Sequence, residues 1–381
     1  MRYVLSGVET NNKGAELMLY AILQEIEKRD QDAVVYLANI PQGLSYIKTP
    51  LHLKQKTVWK VRRFITNMHL WRLVKLFHVE KILKDVYSVG KIDYFFDASG
   101  FNVSDKWNIS DDEVIEWEKL LTNSKRDGAK IIFLPQGFGP IEQENTKNLM
   151  ILYDKYGDLI IAREQVSYDY IKSSGLVQME KVKIYPDFTS MVKGVVPEQY
   201  IDLKGAVCVI PNVRMIDKGG ADSKSSYMNF MVKVIKTVLE KGERVFLLNH
   251  EGLSDEKLAY EISGRFDNKI KVVSRLNGLE VKGLISIAKL VITSRFHGVA
   301  SSLNSCVPCL CTSWSHKYSE LYKDYHLESG VLPIDDDKKS IEIIESYLEP
   351  IRNQKVRDQL SQEVPFLKDS TRRMWDFIWT I

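Results

Sequence analysis

The sequence predicts an α/β protein of two Rossmann-like lobes, each built on a parallel sheet, the pair facing a cleft. Short β-branched and aromatic runs alternate with longer helical patterns, and the alternation restarts after Pro197. The 381 residues are enough for two cores at roughly 150 residues per domain. Alternation of this kind means βαβ units, whose crossovers make neighbouring strands parallel and cover both faces of the sheet.

The elements follow in order. Tyr3-Val-Leu-Ser-Gly7 reads as a strand, and residues 14–29 as a helix with Leu17, Leu19, Ile22, Leu23 and Ile26 as its apolar positions. Further strands are expected at 33–38, 94–97, 130–134 and 159–162, with helices between them. Lys193-Gly-Val-Val-Pro197 breaks the periodicity, so the join is placed within 191–204 and the lobes at 1–195 and 196–381. The second lobe repeats the pattern with strands at 206–210, 244–248, 270–273 and 290–293, and its C-terminal helix is expected to pack back on the first lobe. The repetition is architectural, with no internal sequence repeat and no low-complexity tract.

Composition excludes several classes. With 44% apolar and 27% charged residues the chain is neither disordered, collagen-like nor a coiled coil. Lys plus Arg exceed Asp plus Glu by only 53 to 50, which argues against a polyelectrolyte-binding protein. Met1-Arg-Tyr-Val-Leu-Ser-Gly7 has no apolar core of signal-peptide length, and no run reaches the roughly 18 apolar residues of a spanning helix. Three of the four cysteines crowd into Cys306-Val-Pro-Cys309-Leu-Cys311, with Cys208 apart. No second pair completes a zinc set and the flanks are strand-like, so buried thiols rather than a metal site are expected, in a reducing, cytoplasmic compartment.

One segment departs from the average. Residues 54–84 hold nine Lys or Arg and one acid, Glu80, a net +8 that leaves the rest of the chain at 3 − 8 = −5. Trp59, Phe64, Trp71 and Phe77 are interleaved with those charges. Val58, Val61, Phe64, Ile65 and Met68 share one helical face, and the stripe swings to another face after Asn67, which calls for a kink or two short helices. Such a basic amphipathic insertion suits an anionic membrane surface, or packs its apolar face on its own sheet. No nucleic-acid motif accompanies it.

In doubly wound sheets ligands gather beyond the carboxyl ends of the strands, so the chemistry is sought in the loops that follow them. Gly7-Val-Glu-Thr-Asn-Asn-Lys-Gly-Ala-Glu16 leads into a helix N-terminus, where free N–H groups attract anions or hydroxyls, and Asn12 and Glu16 are its polar candidates. Phe96-Asp97-Ala-Ser-Gly100 places a carboxylate at a strand end, to bond a substrate hydroxyl or cap the turn. Leu134-Pro-Gln136-Gly-Phe-Gly-Pro140 surrounds Gln136 with helix- and strand-breaking residues, a backbone that must approach something closely. Arg214 follows Ile210-Pro-Asn-Val and could grip a phosphate or carboxylate through its fork of donors. The strongest constellation is Leu290-Val-Ile-Thr-Ser-Arg295-Phe296-His297-Gly298. A permanent cation, a titratable imidazole and a helix N-terminus share one turn there, an anion site with an acid/base attached. Asn249-His250-Glu251 with Asp255, and Trp314-Ser-His316-Lys317-Tyr318, follow other strands and are further candidates.

Taken in order, Asn12-Lys-Gly-Ala-Glu16, Pro135-Gln-Gly-Phe-Gly-Pro140, Ala162-Arg-Glu-Gln-Val-Ser167, Tyr185-Pro-Asp-Phe188 and Ser294-Arg-Phe-His-Gly298 resemble the polysaccharide pyruvyl transferase family, over roughly residues 3–320. The resemblance implies a two-lobed fold like the GT-B glycosyltransferases. It also implies transfer of the enolpyruvyl unit of phosphoenolpyruvate to a sugar of a cell-surface polysaccharide precursor, closing a pyruvate ketal with loss of phosphate. By resemblance, Arg295, Phe296, His297 and Gly298 match the family's Arg-Leu-His element that binds phosphoenolpyruvate, with Arg295 and His297 in the catalytic role. Arg214 matches the arginine opening the second lobe. Asn12, Glu16, Asp97 and Gln136 then belong with the acceptor sugar in the first lobe. That lobe departs from the family pattern at Gly14-Ala-Glu16 and Asp97-Ala-Ser-Gly100. No cofactor and no metal is implied, phosphoenolpyruvate being a co-substrate. The partners implied are phosphoenolpyruvate, a sugar or lipid-linked oligosaccharide and an anionic membrane surface, with no nucleic acid. The enzyme would then be cytoplasmic and peripheral at the inner face of the membrane. Two other readings are a GT-B glycosyltransferase using a nucleotide-sugar and a non-catalytic sugar-binding protein of the same fold.

Overall fold

The apolar runs of the sequence become parallel strands in two separate sheets. In a computed structural model of the chain the described residues are 1–38, 52–55, 91–217, 223–312, 316–333 and 336–381. The basic segment expected at 54–84 therefore lies outside the described residues from position 56 onward.

The first sheet has seven strands in the order β3-β2-β1-β4-β5-β6-β7. They are β1 (Arg2–Ser6), β2 (Val34–Leu37), β3 (His52–Gln55), β4 (Tyr94–Asp97), β5 (Lys130–Gln136), β6 (Leu159–Ala162) and β7 (Val182–Ile184). All neighbours are parallel, with β1 between β2 and β4. The strand order reverses direction at β1/β4, the switch point of a doubly wound sheet. β4 and β6 are buried along their whole length, as a sheet covered on both faces requires. Helices α1 (Lys13–Arg29), α2 (Asp111–Arg126), α3 (Glu144–Tyr156) and α4 (Gln165–Ser174) alternate with these strands. Ser110 and Glu113 close a capping box on α2, satisfying its first free N–H groups.

The second sheet repeats the order with six strands, β10-β9-β8-β11-β12-β13. They are β8 (Val207–Ile210), β9 (Val245–Leu248), β10 (Lys271–Val273), β11 (Leu290–Thr293), β12 (Cys309–Thr312) and β13 (Val331–Leu332). Its helices are α5 (Arg214–Asp217), α6 (Ser223–Glu240), α7 (Gly252–Gly264), α8 (Gly278–Ser286), α9 (Phe296–Leu303), α10 (His316–Lys323), α11 (Asp337–Leu348) and α12 (Pro350–Ile378). The cysteine run forms β12, where Cys309 and Cys311 are buried, as is Cys208 on β8, and all are free thiols. Burial pushes the Cys309 thiol up to about 12, so these groups stay protonated and pack as small hydrophobes.

Two units result, one of Met1–Glu9, Ile22–Tyr185 and Trp375–Ile381, the other of Thr10–Ala21 and Pro186–Met374. This division differs from a single join at 195/196. Residues 193–197 do break the periodicity, but they are fixed on α8 of the second unit. The Val195 N–H donates to Leu279 O at 2.9 Å, and a β-carbon on Gly194 would come within 2.4 Å of Gly283 N. The end of α12 belongs to the first unit, where Trp375 and Trp379 meet Phe96 edge-on and Trp379 also meets Tyr3 and Tyr94. The start of α1 is counted in the second unit, which moves Asn12 and Glu16 out of the lobe expected to hold them.

Candidate active site at the second switch point

β8 and β11 lie side by side with Ile210 opposite Thr293, and the order of the second sheet reverses between them. The chain leaving β11 is held down before it turns into α9. Ser294 O accepts from Asn212 Nδ2 at 2.7 Å and from the Tyr318 hydroxyl at 2.8 Å, while Ser294 Oγ lies 2.6 Å from Thr312 Oγ1 and 3.1 Å from the Tyr227 hydroxyl. The small residues of α9 let it sit close to the sheet, and a β-carbon on Gly298 would come within 2.8 Å of Thr293 Oγ1. Arg295 is thereby the residue before the helix, and Phe296 and His297 form its first turn.

Arg295 is buried and held by two carboxylates. Its Nε and NH2 donate to Asp255 Oδ2 at 2.9 and 2.5 Å, and NH1 donates to Glu251. These bonds engage three of the five N–H groups of a guanidinium. The carboxylates differ in exposure. The Asp255 side chain is completely inaccessible, whereas that of Glu251 keeps 26% of its surface. Burial pushes the Asp255 carboxyl up and the Arg295 charge pulls it back down, so each group is costly without the other. Asp255 also accepts the Val213 N–H at 3.0 Å, tying the β8 loop to the same cluster.

His297 lies with Nε2 3.5 Å from Asp187 Oδ2. Its ring is packed against the first turn of α1, because a β-carbon on Gly14 would come within 2.1 Å of Nδ1 and 2.4 Å of Cγ. Phe296 meets the imidazole edge-on at 5.3 Å between centroids. Asn12 shapes that turn of α1: its Oδ1 accepts the Gly14 N–H at 2.9 Å and the Ala15 N–H at 3.4 Å. Lys13 bonds back to Glu16 at 2.9 Å, and the Lys13 N–H donates to His250 O at 3.2 Å. Burial raises the Glu16 carboxyl, an effect that Lys13 partly offsets.

His250 is 2% exposed, and neither ring nitrogen has a hydrogen-bond partner among the described residues. Burial drives its pKa well below the usual value, and the charges of Arg295, His297 and Lys13 add to that, so the imidazole is neutral. Lys282 is also nearly inaccessible, donating to Thr189 O at 2.8 Å, with its pKa lowered to about 7 by burial despite the nearby Asp187.

The structure thus brings Asn12, Glu16, Arg295, Phe296, His297 and Gly298 into one unit, around His250 and Glu251 from the loop after β9 and Asp255 from the first turn of α7. Arg214 is exposed at the start of α5, its N–H bonded to Asn212 Oδ1 at 2.9 Å. Asp97 and Gln136, expected on acceptor-facing loops, are instead fully buried in the first unit. Asp97 accepts from Ser99 Oγ at 2.7 Å, Gln136 Nε2 at 3.3 Å and the Tyr153 hydroxyl at 3.4 Å, and they serve to lock the ends of β4 and β5. The side chains of Trp314 and His316 lie outside the described residues. Among the described residues, no cluster of three or more His, Cys, Asp or Glu is arranged to hold a metal ion. Asp187 and Lys282 are the residues that sequence reasoning did not single out. Asp187 stood inside the Tyr185-Pro-Asp-Phe188 motif, where a Pro-Asp pair marks a turn, whereas a lysine inside the apolar α8 carries no sign that it will be buried.

Solved structures share the whole architecture at low identity. A Listeria monocytogenes protein assigned as a UDP-N-acetylglucosamine 2-epimerase is 12% identical, covering 98% of this chain and 94% of its own, at a TM-score of 0.60. The UDP-GlcNAc 2-epimerase of Neisseria meningitidis, bound to UDP-GlcNAc, is 10% identical with full coverage of both chains at 0.61. WaaG, a glycosyltransferase of lipopolysaccharide biosynthesis, is 12% identical with 99% of each chain covered, at 0.53. These likenesses establish the GT-B-like α/β fold. The family model described as polysaccharide pyruvyl transferase matches residues 12–316, from the first turn of α1 through the Arg295–His297 element to the start of α10. The chain belongs to the polysaccharide pyruvyl transferase family.

Proposed function

We propose that the protein transfers the enolpyruvyl unit of phosphoenolpyruvate to a sugar of a polysaccharide precursor and closes a cyclic pyruvate ketal. The observation that carries this is the joint placement of Arg295 and His297 at the switch point of the second sheet, within the residues the family match covers. Phosphoenolpyruvate brings a phosphate and a carboxylate, for which Arg295 and the first turn of α9 are the proposed contacts, with the exposed Arg214 as a second cation.

In the reaction a sugar hydroxyl adds to C2 and loses its proton while C3 gains one. The C2–O bond to phosphate then breaks, and a second hydroxyl closes on the oxocarbenium-like carbon with loss of its own proton. One sugar proton ends on the new methyl group and the other leaves with phosphate. His297, whose unperturbed pKa of about 6.5 suits transfer near neutrality, carries one of these protons. Asn12 and Glu16, beside His297 rather than in a separate acceptor lobe, are the proposed contacts to the sugar.

The acceptor is proposed to be lipid-linked and the protein peripheral at the cytoplasmic membrane face, on the strength of the net +8 carried by residues 54–84. No helix among the described residues is long and apolar enough to cross a membrane. Equal recovery in the soluble fraction, with anionic vesicles, of the wild type and of Lys/Arg→Glu variants in 54–84 would remove that part.

The donor is tested by thermal shift with phosphoenolpyruvate and with UDP, on the wild type and on Arg295→Ala. A ligand at about 100 times its Kd stabilises the folded state by roughly 2.7 kcal/mol. Stabilisation by phosphoenolpyruvate that Arg295→Ala abolishes is the expected result. Stabilisation by UDP alone would replace the pyruvyl reading with a nucleotide-sugar one.

A further inference from the structure

We propose that Asp187 is a positioning residue for His297, fixing which imidazole nitrogen carries the proton, with the buried Lys282 as its counter-charge. The inference rests on the reading of His297 as the acid/base of the reaction. Asp187 follows Pro186 and caps a short 3-10 turn, Phe188–Met191, which packs on α9. One oxygen of its carboxylate is committed to that turn: Oδ1 accepts the Thr189 N–H at 2.9 Å and the Thr189 hydroxyl at 2.5 Å. The other, Oδ2, is left facing His297 Nε2 at 3.5 Å. A carboxylate only accepts, so when the pair closes Nε2 carries the proton and Nδ1 is the unprotonated nitrogen of the neutral ring. The ring cannot swing to reverse that choice, since Gly14 closes on its Nδ1 side.

Lys282 brings a second buried charge to the same turn. Its ammonium donates to Thr189 O, the same residue whose N–H and hydroxyl grip Asp187, and the Asp187 charge is what favours its protonated form against burial. A lone buried Asp drifts toward the protonated acid, which could donate to the imidazole and select the wrong tautomer. The other charged or titratable groups around this pair include Tyr325 near Asp187, Lys368 of α12 near Lys282, Lys13 and Glu16 of α1, His250 after β9, and Arg295 with its carboxylates Glu251 and Asp255.

The test is 15N NMR of the full chain with labelled histidine, the His297 resonance being identified among the seven histidines by its absence in His297→Gln. The wild type is expected to show the Nε2–H tautomer. D187N, similar in shape, is expected to mix the tautomers and to lower the titration midpoint of His297 by about one pH unit or more, since an anionic neighbour is lost. K282M is expected to act in the same direction with a smaller effect, and K282R to restore the wild-type spectrum. With phosphoenolpyruvate and acceptor, D187N should lose about 10²-fold in kcat with little change in KM, and its acid limb should move to lower pH. An Nδ1–H tautomer in the wild type, or a D187N spectrum and midpoint like those of the wild type, overturns the proposal whatever the donor substrate. Absence of phosphoenolpyruvate binding with the expected spectra would instead overturn the pyruvyl reading and leave Asp187 in its role.

Discussion

A β-carbon on Gly14 would lie 2.1 Å from Nδ1 of His297, so the first turn of α1 and the first turn of α9 fit together only because residue 14 has no side chain. Glycine inside a helix costs about 1 kcal/mol against alanine, which makes the imidazole the reason for its presence. Gly14→Ala is therefore expected to destabilise by about 1–3 kcal/mol through overpacking, and to displace the ring. In a His297→Ala background the same change should be neutral or stabilising. Denaturation of the four proteins measures the coupling, and additive effects would mean that the two residues do not touch.

Arg295 already holds two anions, and they should respond differently to substitution. Asp255 is sealed in, so Asp255→Asn leaves a buried guanidinium without its main partner and is expected to cost about 3 kcal/mol or more of stability. Glu251 is partly exposed and occupies NH1, where an incoming phosphate or carboxylate would bind. Glu251→Gln is expected to tighten phosphoenolpyruvate binding several-fold, since an internal competitor is removed. Weaker binding in Glu251→Gln by calorimetry would show that Glu251 orients Arg295 rather than competing for it.

Asp97 is expected to matter for folding rather than for the acceptor. Asp97→Ala leaves the hydrogen-bond donors of Ser99, Gln136 and Tyr153 without their acceptor inside the first unit, which should cost about 1–3 kcal/mol. Burial raises the Asp97 carboxyl, so Asp97→Asn should be milder than the alanine change. A rise in acceptor KM without loss of stability in Asp97→Asn would restore the carboxylate to the sugar site.

The strands were legible because parallel sheets demand uninterrupted apolar runs, and Leu290-Val-Ile-Thr293 or Leu159-Ile-Ile-Ala162 can hardly be read otherwise. β7 and β13, with three and two residues, carry too little pattern to be found that way. Arg295 and His297 stood out because a cation and an imidazole at a strand-to-helix turn break the surrounding apolar rule. Glu251 and Asp255, which hold Arg295, were legible as polar residues after a strand, but Asp187 and Lys282 were not: they are 95 residues apart along the chain, and only the packing of the 3-10 turn and α8 on the same strand-helix corner brings them together. The unit boundary was hidden for a related reason. The periodicity breaks at 193–197 because that stretch lies on α8, while the exchange of α1 between units leaves its helical pattern intact.

His250 supplies a test of whether this corner meets substrate. Its imidazole is held neutral by burial, with a folded-state pKa well below the unfolded value of about 6.5. Above that value neither state carries the proton and the residue has no effect on pH dependence. Below it the unfolded chain binds a proton that the folded one refuses, so stability should fall by about 1.4 kcal/mol per pH unit as acid is added. His250→Leu is expected to flatten the melting temperature between about pH 6.5 and 5 relative to the wild type. Because its two nitrogens lack hydrogen-bond partners among the described residues, the leucine should also be at least as stable as histidine near neutral pH. If the flattening comes with unchanged phosphoenolpyruvate affinity, the imidazole is a neutral filler beside Arg295. If affinity falls several-fold while stability holds, those unused nitrogens are contacts for the substrate.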